Sequence, residues 1–183
     1  DPDYRDRGTL FHEIMRRFIA AGVPRERHKA EILLRDIAVD AFAKEQLPSD
    51  VRALWWPRFE QLVSPIIEEE LERQALIAES FVETNAARTE IDATGVTISG
   101  RADRIDSLKS GGIDIIDYKS SKSPSAGSAA SLLNPQLALE AALARRGAFR
   151  QAGPKSVAGL YYYRLLSQAE IKLARTKTGD EAG

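Results

Sequence analysis

The chain has 183 residues, a formal net charge of −1, 43% hydrophobic and 29% charged residues, and no cysteine. That length suits one domain with a sizeable core. The missing thiols exclude disulfides, thiolate zinc sites, cysteine nucleophiles and cysteine-held iron–sulfur clusters within these residues. No apolar run approaches the roughly 20 residues that span a bilayer, and no signal peptide is visible, so a cytoplasmic setting without a membrane is the default expectation. The near-zero charge gives no overall basic field for nucleic acid, although a local basic patch is enough to bind it. With Asp1 at its start and the polar "ARTKTGDEAG" at its end, the chain reads as a piece of a longer polypeptide.

The first third is helical in pattern. "RGTLFHEIMRRFIAAG" sets Leu10, Phe11, Ile14, Met15 and Phe18 at helical spacing, with Gly22 as a stop. A second helix is expected in "PRERHKAEILLRDIAVDAFAKEQL", with Pro24 near its first turn. A third starts near Ser49 and Asp50, and Pro57 and Pro65 are expected to kink or break it. The character changes near residue 79. "SFVETNAARTEI", "GVTISGRADRIDSL" and "GIDIIDYKS" are β-branched and separated by turn residues, which predicts an antiparallel meander. "SKSPSAGSAAS" reads as a mobile loop. "LLNPQLALEAALARRGAF" reads as a helix with Asn134 and Pro135 at its start, and "SVAGLYYYRLL" as a last strand. The fold class is therefore mixed α/β, with one small central sheet flanked by helices. A single domain over 1–183 is expected: a mostly helical part at 1–78, a core at 79–165 and a tail at 166–183.

The chemistry concentrates where "GGIDIIDYKSSKSP" carries Asp117 and Lys119 at the end of an apolar strand. The two side chains share one face of the strand. They read either as a plain ion pair, worth little at a surface, or as part of a site that makes a buried charge tolerable. The preceding strand, "SGRADRID", holds Asp103 and Asp106. If Lys109-Ser110-Gly111 forms a three-residue loop with glycine in the left-handed position, Leu108 opposes Gly112 and Asp103 opposes Asp117. A slip of one residue would turn the side chain to the other face. Carboxylates opposed in this way repel unless a cation lies between them or one binds a proton. A hard divalent ion such as Mg²⁺, which takes oxygen ligands, fits. Asp103 can also be a solvated acid or a partner of Arg101 or Arg104, and Asp106 fits that description better. His12 lies among Leu10, Phe11 and Ile14, where a histidine serves either as a hydrogen-bonded core residue or as a neutral metal ligand. His28, in a charged stretch, reads as solvated. Lys119 can stabilise charge developing on a phosphate, so the group as a whole suits metal-assisted phosphodiester hydrolysis.

"GTLFHEIMRRF", "GRADRID", "IDYKSS" and "PQLALEAAL", in that order, resemble the PD-(D/E)xK nuclease superfamily over roughly residues 4–165. Within it they are most similar to the RecB/AddB-type exonuclease domain of bacterial double-strand-break repair helicase–nucleases. The resemblance implies a restriction-endonuclease-like core and a Mg²⁺- or Mn²⁺-dependent deoxyribonuclease, with exonuclease action on single-stranded DNA ends. It implies His12, Asp103, Asp117 and the main-chain carbonyl of Tyr118 as metal ligands, Lys119 as the catalytic lysine and Gln136 as the auxiliary glutamine near the DNA backbone. An AddA-like helicase–nuclease subunit is the implied partner. Two departures stand out. Glu140 occupies the position of a frequent tyrosine, and the four cysteines that hold an iron–sulfur cluster in many AddB-type nucleases are absent, so no cluster is expected. The alternative reading is an inactive DNA-binding or scaffolding module of the same fold. A stand-alone endonuclease is a third. Arg101, Arg104, Lys122, Arg145 and Arg146 are the expected phosphate contacts. Trp55 and Trp56 can stack bases or belong to the core.

Overall fold

The computed structural model describes residues 4–91, 96–119, 136–153, 155–166 and 170–175. The chain divides into two compact units. The first holds the residues through Ala75 together with Tyr118, Lys119 and the described strand residues from Tyr163 to Lys172. The second holds the described residues from Leu76 to Asp117, those from Gln136 to Tyr162, and Leu173 to Arg175. The mobile loop expected in "SKSPSAGSAAS", and Asn134 and Pro135, lie outside the described residues.

The first unit is helical. Helix α1 spans Tyr4–Ala21, α2 Arg27–Lys44 and α3 Ser49–Gln74. Leu10, Phe11, Ile14, Met15, Phe18 and Ile19 form the buried stripe of α1, the three-and-four spacing that makes one helical face apolar. The helix stops at Ala21, followed by Gly22 at φ +82°, a conformation that costs glycine little. Helix α3 runs unbroken through Pro57 and Pro65, so of the expected kink or break the break does not occur. Each internal proline costs about 3 kcal/mol. Burying Trp55, Phe59, Leu62, Val63, Ile66 and Ile67 contributes about 1.5–3 kcal/mol each, so packing outweighs the missing hydrogen bonds. Phe59 meets Phe11 edge-on at 5.4 Å and tilts against Phe42 at 6.2 Å.

The second unit carries most of the sheet. Strands β1 (Ile77–Asn85), β4 (Arg101–Leu108), β5 (Ile113–Lys119), β6 (Val157–Leu166) and β7 (Glu170–Arg175) lie in the order β1-β4-β5-β6-β7. Strands β2 (Thr89–Ile91) and β3 (Val96–Ile98) form a separate two-stranded sheet. The segment "GVTISGRADRIDSL" is thus two strands, not one. The break falls at Gly100, whose carbonyl accepts from the Ala86 N–H at 2.8 Å. Strand β7 lies in the segment read from the sequence as a tail.

Antiparallel pairing joins β1 to β4 and β4 to β5. Gly112 lies against Ala158 and Asp114 against Gly159, so β5 and β6 advance in the same direction and the sheet is mixed. Parallel neighbours need a crossover, and helix α4 (Gln136–Arg145) lies between them in the chain. Ala141, Leu143 and Ala144 of α4 share a core with Ile105, Ile113, Ile115, Phe149, Leu160 and Tyr162. This is the mixed α/β, restriction-endonuclease-like architecture expected. No helix among the described residues is long and apolar enough to cross a membrane.

Candidate active site

The β4–β5 hairpin fixes the spacing of the acids. Lys109-Ser110-Gly111 is its loop. The Leu108 N–H donates to the Gly112 carbonyl at 2.8 Å, and Gly111 has φ +105°, a conformation closed to most side chains. The ladder pairs Arg104 with Ile116, Ile105 with Ile115, Asp106 with Asp114 and Ser107 with Ile113. This is the register that a three-residue loop dictates. The ladder ends at Arg104–Ile116, and continuing its register by one residue would bring Asp103 opposite Asp117. On its other side β4 pairs with β1 through Val82–Arg104 and Thr84–Ala102, which flank Glu83. Glu83 has φ +47°, a strained conformation for a side-chain-bearing residue inside a strand.

Asp117 continues the face of Ile113 and Ile115, so the strand changes from core to carboxylate without changing sides. It is only 2% exposed. The amide of Gln136 at the start of α4 donates to Asp117 Oδ1 at 3.0 Å and to Glu140 Oε1 at 3.2 Å. Glu140 is itself 3% exposed. It lies one helical turn after Gln136, on the face that also buries Ala141 and Ala144. One neutral amide therefore bridges two buried carboxylates.

In the first unit, His12 of α1 is half-buried, and its ring meets that of Tyr118 edge-on at 5.9 Å. Tyr118 also packs on Tyr163 at 5.3 Å. Lys119 ends β5, half-buried, and shares the strand-face parity of Asp117.

The opposite face of β4 holds a different polar group. Arg104 Nε donates to Asp106 Oδ1 at 2.7 Å, with side chains 1% and 0% exposed. The Ser80 hydroxyl donates to the same oxygen at 2.7 Å. Asp106 is directly opposed to Asp114, also buried. Asp106 is therefore a partner of Arg104, one of the two readings open for it, rather than a solvated acid, and Arg104 is not a phosphate contact. Both are turned into the protein, and burial requires that each charge be paired.

A family model for the PD-(D/E)XK nuclease superfamily matches residues 1–182. The chain belongs to the PD-(D/E)XK nuclease superfamily. No curated protein matches it significantly.

For a PD-(D/E)XK domain the donor chemistry is hard. Asp103 and Asp117 offer carboxylate oxygens. Among the described residues no three His, Asp or Glu side chains form a ready metal-binding group. Carboxylate oxygens of this kind suit Mg²⁺, which keeps several waters and is held through one or two carboxylates. Of the basic residues expected at DNA, Arg101, Arg145 and Arg146 are exposed, whereas Lys122 lies outside the described residues. Trp55 is buried in the helical core, and the half-buried Trp56 packs on Phe42 at 5.3 Å. His28 is exposed, as expected. The residue that sequence reasoning underrated is Glu140, read only as a departure. Its i,i+4 spacing from Gln136 was the available signal.

Proposed function

We propose that this PD-(D/E)XK chain is a Mg²⁺- or Mn²⁺-dependent deoxyribonuclease, acting as an exonuclease on single-stranded DNA ends during recombinational double-strand-break repair. In this reading residues 1–183 work as one nuclease domain in the cytoplasm, beside an AddA-like helicase subunit. The observation that carries it is the β4–β5 register, which supports Asp103 and Asp117 as a carboxylate pair within a matched nuclease family.

His12, Asp103, Asp117 and the Tyr118 carbonyl would hold the cation. When bound, such an ion supplies Lewis acidity and neutralises phosphate charge. The chain's own residues do the rest. Asp117 is held in one orientation by Gln136, so its oxygens need little reorganisation. The Lys119 ammonium offers positive charge to the oxygen on which negative charge develops, or orients the attacking water. No serine or cysteine nucleophile is required, and bond breakage is hydrolytic.

The test is cleavage of linear single-stranded DNA with Mg²⁺, Mn²⁺ or EDTA. Cleavage should require the ion. Asp117→Asn, Asp103→Asn and Lys119→Ala should each lower it by at least about 100-fold while the circular dichroism spectrum is kept. Near wild-type cleavage in Asp117→Asn or Lys119→Ala rules the mechanism out. Calorimetry with Mn²⁺ should show weaker binding in His12→Ala; unchanged affinity returns His12 to the core.

A further inference from the structure

The bridge between Asp117 and Glu140 constrains what Gln136 can do. Its Nε2 carries two protons. One points to Asp117 Oδ1 at 3.0 Å and the other to Glu140 Oε1 at 3.2 Å. The assignment of nitrogen rather than oxygen to this position follows from the neighbours, since a carboxylate only accepts. A flipped amide would set its carbonyl oxygen against two acceptors. With both donors directed at carboxylates, the group left for a ligand is the carbonyl Oε1. Gln136 as a residue is exposed. A phosphate oxygen is also an acceptor, so the two cannot bond.

We propose that Glu140 is a positioning residue: it captures the second amide proton of Gln136, which locks that amide onto Asp117 and turns Gln136 into an acceptor toward substrate. Gln136 then meets a donor at the site, such as an ordered water, an ammonium or a nucleobase amino group, and makes no direct contact with the DNA backbone. Glu140 acts through Gln136 on the orientation of Asp117. The position at which a phenol is frequent thus carries a different task here, and the change at Glu140 redefines the glutamine four residues earlier. This inference rests on the nuclease reading for its effect on cleavage, but the bridge itself does not.

The first measurement therefore needs no cleavage. In the metal-free 183-residue protein, the side-chain amide of Gln136 is followed by ¹H–¹⁵N NMR, assigned by its loss in Gln136→Leu. Glu140→Leu should shift one of the two amide protons and speed its exchange with solvent. Glu140→Gln, which keeps a side-chain oxygen acceptor, should leave both near their wild-type positions. An amide pair identical in wild type and Glu140→Leu overturns the proposal. The second measurement is kinetic. Gln136→Leu and Glu140→Leu should each lower kcat by about 10–100-fold with KM for DNA unchanged. The double variant should be no worse than either single change, because the two act as one unit. Glu140→Gln should restore most of kcat. A rise in KM as the main effect of Gln136→Leu would return the glutamine to the DNA backbone and overturn the proposal. If wild type cuts no DNA while the amide signals behave as expected, the nuclease reading fails and the bridge stands. If cleavage depends on Lys119 while the amide signals ignore Glu140, the bridge fails alone.

Discussion

The buried pair on the far face of β4 gives the sharpest stability test. Arg104→Met removes a guanidinium that is 1% exposed and leaves Asp106, 0% exposed, directly opposite Asp114. Methionine fills a similar volume, so the change is chiefly one of charge. Breaking a buried pair by removing one partner costs about 3–5 kcal/mol, because the remaining charge is desolvated without its counter-charge. For a chain of this length each kcal/mol lowers Tm by about 2–4 °C. The expected drop is therefore about 6–20 °C, measured by calorimetry and checked by urea denaturation. Adding Asp106→Leu should recover most of the loss, since replacing both partners with apolar groups is often neutral or better. Arg101→Met is the control. Its side chain is 59% exposed and stands 3.8 Å from Glu83, a surface arrangement worth under about 1 kcal/mol. A loss below about 1 kcal/mol in Arg104→Met, or a double variant no more stable than the single one, refutes the reasoning. The same series separates structure from DNA contact. Arg104→Met should lower stability and spare DNA affinity, and Arg101→Met should do the reverse.

Three further outcomes follow from backbone and charge. Gly111→Ala forces a Cβ onto φ +105° in open space, so its cost is conformational, about 1–2 kcal/mol, read from the denaturation midpoint. Glu83→Gly relieves φ +47° in β1 and should raise stability by up to about 1 kcal/mol; a loss would show that the Glu83 side chain matters more than the strain. The Arg16 guanidinium holds the Glu13 carboxyl below its usual value through a hydrogen bond at 2.7 Å. A lowered carboxylate contributes stability above its unfolded pKa and loses it as pH falls through the folded one. Glu13→Gln should therefore cost under about 1 kcal/mol at pH 7, and the gap in Tm from wild type should close below about pH 4.

Much of the hairpin was legible because its rules are local. Glycine in the third loop position fixes the turn, the turn fixes the register, and a period of two then carries Ile113 and Ile115 to Asp117. The helical stripes of α1 and α2 were legible for the same reason. The rest depends on tertiary context. Arg104 and Asp106 share a strand face, but a sequence does not say whether that face meets water. The two prolines of α3 break an isolated helix, and only the buried residues around them show that this one survives. Strands of three residues, such as β2 and β3, carry too few alternations to separate them from the strand that follows. Glu140 was visible as a departure from a pattern, but its burial against Gln136 required the core beneath α4.

The loop at Lys109–Gly111 stands six residues from Asp103 on one side and six from Asp117 on the other. Changes of length there matter more than changes of residue. With the turn geometry kept, one inserted residue would slide β5 so that Asp103 faced Ile116, and one deleted residue would bring it opposite Tyr118. Either shift points the partner side chain to the far side of the sheet. Point substitutions in this turn are graded in their effect, whereas an insertion or deletion would separate the two carboxylates outright.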